Sequence, residues 1–201
     1  MIRYVKNPAS RKTKSVITVD GQQYQAKYIG KGQYSKVYRV GDRVVYYTRG
    51  DCGKEVLAQF QYDRMAHLPE IIRHENITIH PGHPGHPWHP GHPWYVFSSP
   101  YYRDVTSRDT SAYKIMNKVI EWYRVFHRGD NRFEGIELMQ DIVIRFAKES
   151  DVPRSVVKAL QEIVDVASNC GYGVRFDLHK KNFGVNEYGT LIFRDPIYVR
   201  E

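Results

Sequence analysis

Asp177, Asn182 and Asp195 are residues whose types and spacing suit chemistry on a phosphate. Asp177 is followed by an Asn five residues on, and Asp195 comes after a strand–turn–strand pattern. Phe183-Gly184-Val185 and Leu191-Ile192-Phe193 read as two short strands, with Asn186-Glu187-Tyr188-Gly189 as the turn between them. A hairpin brings its ends together, which places Asn182 close to Asp195 with Asp177 beside them. Three oxygen-bearing side chains at one point suit a hard cation such as Mg²⁺. One Asp to accept or orient a hydroxyl, with an Asn and a second Asp on a metal that neutralises a triphosphate, is the layout of phosphoryl transfer. A surface hairpin with ordinary turn residues shows the same letters, so this reading requires a phosphate-binding element upstream.

Gly30-Lys31-Gly32-Gln33-Tyr34-Ser35-Lys36-Val37-Tyr38 meets that requirement. Glycines in a strand–turn–strand let backbone N–H groups approach phosphate oxygens, and Tyr34 at the tip is placed to cover them. The run lies between strand-like segments rather than before a helix, which disfavours a dinucleotide fingerprint. Lys27, Lys31 and Lys36 add positive charge in or near it.

The elements that must position these residues follow in order. Residues 1–14 are a basic arm, read as solvated, with nucleic acid or an acidic partner as the functional alternative. Val16–Val19 and Tyr24–Ile29 form a hairpin across Asp20-Gly21, and Arg43–Thr48 is a third strand after the Gly41-Asp42 turn. Gly53–Leu68 reads as a helix with Val56, Leu57, Phe60, Met65 and Leu68 toward a core; Glu55 lies in its first turn. Residues 80–94 repeat His-Pro-Gly or His-Pro-Trp, read as an exposed polyproline-like loop rather than a converging metal site. Tyr95–Tyr102 is a strand, 103–111 a linker, and Tyr113–His127 and Phe133–Lys148 are amphipathic helices. Asp151 is expected as the N-cap of a further helix whose stripe is Val156, Leu160, Ile163, Ala167 and Cys170.

Length and composition bound the answer. The 201 residues suffice for one domain or a small two-lobed one, and 16 Tyr argue for a folded chain. A formal charge of +8 fits nucleotide phosphates, nucleic acid or an acidic protein partner and does not choose among them. Cys52 and Cys170 make no disulfide framework. The basic start lacks an apolar segment of the secretory kind, and no apolar run approaches the roughly 20 residues that span a bilayer. The expectation is a soluble protein of a reducing cytoplasm with no membrane partner.

The order and spacing resemble the protein-kinase-like fold. Asp177, Asn182 and Asp195 match its catalytic Asp, the Asn at plus five, and the metal-binding Asp after a hairpin. Arg194-Asp195-Pro196 stands where Asp-Phe-Gly is usual, and Arg175-Phe176 where His-Arg is usual. The strongest resemblance is to the early protein kinases of podophages (autographiviruses) that encode their own RNA polymerase. They share the G-x-G-x-x-S loop (Gly30, Gly32, Ser35), the F-D-L-H-x-x-N loop (Phe176 to Asn182) and the Asp195-Pro196 pair. The resemblance implies an α+β, compact two-lobed fold. An N-lobe over 15–100 would carry an antiparallel sheet and one helix, and a reduced helical C-lobe would occupy 101–201. With six residues following Asp195, no activation segment is expected. It further implies an ATP- and Mg²⁺-dependent Ser/Thr kinase, acting in the host bacterial cytoplasm on host proteins such as RNA polymerase or RNA-processing enzymes. Asp177 and His179 would serve the acceptor hydroxyl, and Asn182 and Asp195 the metal. Gly30, Lys31, Gly32, Tyr34, Ser35, Lys36, Lys27 and Glu55 would serve the nucleotide. Kinases carry a Lys on the third strand, where this chain has Tyr46, with Lys27 or Lys36 as expected replacements. That departure brings a second reading, an inactive kinase-like protein that inhibits a host protein by binding. Aminoglycoside and choline phosphotransferases, which share D-L-H-x-x-N, give a third.

Overall fold

Alternating aromatic and β-branched residues dominate the first part of the chain, and there the structure is a sheet. The computed structural model describes residues 4–6, 14–19, 22–31, 35–49, 52–60, 65–74, 94–129, 134–168 and 173–199. By their internal contacts they form two units: Met1–Asp51 with Ile71–Tyr101, and Cys52–Glu70 with Tyr102–Glu201. The chain is mixed α and β, with one large antiparallel sheet and, among the described residues, four α-helices.

The first unit is a seven-stranded sheet in the order β1-β2-β3-β4-β5-β7-β6. Its strands are β1 (Tyr4–Lys6), β2 (Lys14–Val19), β3 (Gln22–Lys31), β4 (Ser35–Val40), β5 (Arg43–Arg49), β6 (Ile72–His74) and β7 (Trp94–Pro100). Tyr4–Lys6 is a paired edge strand, Tyr4 opposite Ile17, rather than part of a free arm. One face buries Ala26, Tyr38, Val45, Tyr47 and Val96. Tyr38 meets Tyr28 and Tyr47 edge to face, at centroid distances of 5.6 and 5.5 Å. The His-Pro-Gly run falls in the connection between the paired strands β6 and β7, outside the described residues.

The second unit holds α1 (Cys52–Ala58), α2 (Thr110–Gly129), α3 (Gly135–Glu149) and α4 (Arg154–Ala167). It also holds two short ladders, β8 (Val174–Phe176) with β11 (Ile197–Val199), and β9 (Phe183–Val185) with β10 (Leu191–Phe193). Of the stripe Ile136, Met139, Ile142, Val143 and Phe146 expected on α3, all but the half-buried Ile136 are buried, and on α4 Val156, Leu160, Ile163 and Ala167 are buried. Cys170 lies outside the described residues.

Two expectations need correction. The helix from Gly53 ends at Ala58, where Gln59 and Phe60 close tight turns by donating to Val56 O and Leu57 O. Further on, His67 has φ +72°, a left-handed conformation that no helix accommodates. The segment 52–70 also groups with the second unit, not with the sheet. Asp151 is not an N-cap: Pro153 takes that position, and its carbonyl receives Val156 and Val157 N–H. The Asp151 carboxylate instead accepts from Lys118 on α2, which draws its pKa below the usual range.

His67 locks the hairpin to the helices. Its Nδ1 lies 2.8 Å from Leu191 O and its Nε2 3.0 Å from Ser155 Oγ, while Phe193 N donates to His67 O at 2.8 Å. A carbonyl only accepts, so Nδ1 carries the proton and Nε2 accepts from the Ser155 hydroxyl. That is the neutral ring, and burial pushes the His67 pKa down from 6.5. His67→Asn keeps a residue that tolerates the left-handed backbone but strips the buried Leu191 carbonyl of its donor. A loss of about 1–3 kcal/mol is expected. The wild-type advantage should be complete above pH 6.5 and shrink as pH falls toward the depressed folded pKa, because the unfolded chain takes up the proton first. Thermal midpoints of both proteins from pH 8 to pH 5 measure this; a pH-independent gap would exclude it.

Candidate functional site

The two ladders of the second unit are joined twice. Residues 177–182 run from the end of β8 to the start of β9, and residues 194–196 run from the end of β10 to the start of β11. Since β8 pairs with β11 and β9 with β10, both connections leave the ladders at the same ends and must lie side by side. Hydrogen bonds fasten them together. Asp177 N donates to Pro196 O at 2.7 Å, and Arg194 N donates to Asn182 O at 2.8 Å. Across the first loop, Asn182 Nδ2 donates to Asp177 O at 2.8 Å. Asp195 therefore stands between two residues whose backbones are bound to Asp177 and Asn182. The hairpin turn is the expected one: Asn186 Oδ1 accepts from Tyr188 N and Thr190 N, and Gly189 takes φ +79°.

The surroundings stiffen this pair of loops. Tyr123 on α2 donates to Phe176 O at 2.6 Å, and burial pushes its phenol pKa well above the usual value, so it stays a donor. The Arg194 guanidinium reaches Tyr102 O, Asp104 and Lys181 O. Gly184 is required by close approach: a Cβ there would sit 2.7 Å from Tyr102 Cβ and 3.2 Å from Arg103 O.

His179 Nε2 lies 3.4 Å from Asp177 Oδ1, so these two predicted residues are neighbours. Both are partly exposed, with side-chain exposures of 52% and 35%. Asn182 offers its NH₂ to a carbonyl, which leaves Oδ1 directed elsewhere as an acceptor. Asn182 Oδ1 and the Asp195 carboxylate are hard oxygen donors carried by the two adjoining loops. Mg²⁺ fits such a set, because it takes one or two protein oxygens and fills its octahedron with water and phosphate. Among the described residues no three His, Cys, Asp or Glu side chains gather to hold a metal. A cation here would therefore depend on co-ligands from a phosphate.

No protein-family model, curated protein or solved structure matches this chain.

The residue that sequence reasoning passed over is Lys54. It lies in α1, is 3% exposed at the side chain, and its Nζ is 2.6 Å from Asp195 Oδ1. Lys54 shares a face with Leu57 and Ala58, three and four residues on, both buried. A Lys in an apolar stripe was the available signal; that its partner is 141 residues away was not. Glu55 is half-buried in the first turn of α1.

The nucleotide candidates of the first unit lie on one hairpin. Lys27, Gly30 and Lys31 are on β3, and Ser35 and Lys36 on β4, with Lys31 opposite Lys36. A register shift falls between Tyr28 and Gly30, and nothing lies within 4 Å of a Cβ built on Gly30. Gly32 and Tyr34 lie outside the described residues. Tyr46 is on β5, opposite Val37 and Phe97, its hydroxyl 3.2 Å from Ser99 Oγ.

An open groove of about 520 Å³ runs along α2, lined by Asn117, Ile120, Glu121, Arg124, Val125 and Lys180. Lys180 belongs to the same loop as Asp177. Among the described residues no helix is long and apolar enough to cross a membrane.

Proposed function

We propose that this chain is a reduced, kinase-like phosphotransferase that moves the γ-phosphoryl group of ATP to Ser or Thr hydroxyls of host proteins. In this reading it is phage-encoded and acts in the bacterial cytoplasm on transcription or RNA-processing machinery. The observation that carries the reading is the pair of adjoining loops, in which Asp177 is bonded to Pro196 and Asn182 to Arg194, the two residues that flank Asp195, and Asn182 Nδ2 to Asp177 O. An open groove along α2 reaches Lys180, in the same loop as Asp177.

In the proposed reaction Asp177 orients the acceptor hydroxyl and takes its proton, with His179 adjacent to the same carboxylate. The hydroxyl oxygen forms a bond to the γ-phosphorus, the bond from that phosphorus to the bridging β-oxygen breaks, and ADP leaves. Asn182 Oδ1 and Asp195 are the oxygens that would hold Mg²⁺, which supplies charge neutralisation on the phosphates. The glycine-bearing segment that links β3 to β4, with Lys27, Lys31, Tyr34 and Lys36, is assigned to the phosphates from the sequence pattern.

Incubation with [γ-³²P]ATP, Mg²⁺ and a bacterial lysate tests this. Label on the chain itself or on lysate proteins is expected. Label only on an added aminoglycoside or choline would favour the small-molecule enzyme. Tyr46, in a strand where kinases carry a Lys, favours the inhibitory-binder reading. That reading predicts no transfer but stable capture of one host protein.

A further inference from the structure

We infer that Lys54 positions Asp195 and makes the site selective for a net-anionic metal–nucleotide over a bare divalent cation; this rests on the proposed function. A buried ammonium is costly unless paired, and an aliphatic residue would fill the same helix face at no such cost. The charge is nonetheless there, 2.6 Å behind a carboxylate whose side chain is 46% exposed. Asp195 is thus gripped at Oδ1 from the protein side while much of its surface stays open to a ligand. Groups retained against stability at a partly open carboxylate are what functional sites contain.

The sign of the charge decides which ligand benefits. A fixed cation beside Asp195 repels a lone Mg²⁺ or Mn²⁺ and attracts Mg·ATP, whose net charge is negative. Two protein oxygens alone also make a weak cation site. Lys54 therefore strengthens the composite ligand and opposes the metal on its own. Lys54 is carried by α1, in the same unit as Asp195.

The test compares the full-length wild type with Lys54→Met and Lys54→Gln. Met fills the same volume without charge, and Gln keeps a hydrogen-bond donor for Oδ1. Three quantities are read: Mg·ATP affinity by calorimetry, Mn²⁺ affinity without nucleotide by electron paramagnetic resonance, and thermal midpoint. Lys54→Met is expected to weaken Mg·ATP about 10–100-fold, as loss of a partner that orients a metal-holding carboxylate does. Its Mn²⁺ affinity should hold or rise, and its midpoint should hold or rise. Lys54→Gln should fall between, since it restores orientation but not charge. Unchanged Mg·ATP affinity in both variants, with normal binding by wild type, overturns this inference and leaves the kinase reading standing. A midpoint that falls in both variants, with both affinities falling together, also overturns it, because it marks a structural role. A wild type that binds no nucleotide sinks the proposed function itself.

Discussion

Asp177→Asn is expected to lose phosphoryl transfer by about 10²–10⁴-fold, the range that one positioned proton acceptor contributes, with nucleotide binding and thermal midpoint at wild-type values. The backbone explains why the loss should be so selective. Asp177 is placed by its own N–H on Pro196 O and by its carbonyl, which receives Asn182 Nδ2. Neither bond uses the carboxylate. The Asn side chain has the same size, and the native one is already 35% exposed, so no buried charge is stranded. What disappears is the proton acceptor and its contact with His179 at 3.4 Å. Transfer of label from [γ-³²P]ATP, nucleotide affinity and thermal melting, measured on the same preparation, separate these effects. Equal transfer by Asp177→Asn and wild type would remove Asp177 from the mechanism. A fall in kcat with unchanged affinity would place its contribution in the transition state alone.

Local pattern made part of this site legible. Phe-Gly-Val and Leu-Ile-Phe around Asn-Glu-Tyr-Gly announce a hairpin, because strand alternation and turn chemistry are written in adjacent residues. The helical stripes of α3 and α4 were visible for the same reason. The second ladder was not. Val-Arg-Phe and Ile-Tyr-Val are three residues each, too short to show a period, and Phe176 meets Ile197 only through the tertiary fold. Yet that ladder is what lays the Asp195 loop against the Asp177 loop. Helix α1 was read too long because Phe60, Met65 and Leu68 continue an apolar spacing, while the left-handed backbone at His67 has no signature in a histidine. Lys54 and Glu55 are adjacent letters, and expectation settled on the acid; burial against Asp195 distinguishes the base.

Asp195→Ala should show the largest combined effect, and its two parts can be pulled apart. Removing the carboxylate takes a charged partner from a side chain that is 3% exposed. Breaking a fully buried ion pair in this way costs about 3–5 kcal/mol; the cost is smaller here because Asp195 itself is 46% exposed. The thermal midpoint should fall, and Mg²⁺-dependent ATP binding should vanish with one of its two protein oxygens. The double variant Lys54→Met/Asp195→Ala removes both charges, so no ammonium is left without its carboxylate, and the midpoint should recover toward wild type. Nucleotide binding should not recover, because neither Met nor Ala holds a metal or a phosphate. A double-mutant cycle on melting should therefore give a coupling well above the ~0.5 kcal/mol seen between independent sites. The same cycle on Mg·ATP binding should show no rescue at all. If binding returned with stability, the loss in Asp195→Ala would be a consequence of unfolding, and Asp195 would be a structural counter-ion for Lys54. Recovery of the midpoint alone would mean that one carboxylate serves two roles, neutralising a buried cation behind it and presenting its open side to the metal-bound phosphates.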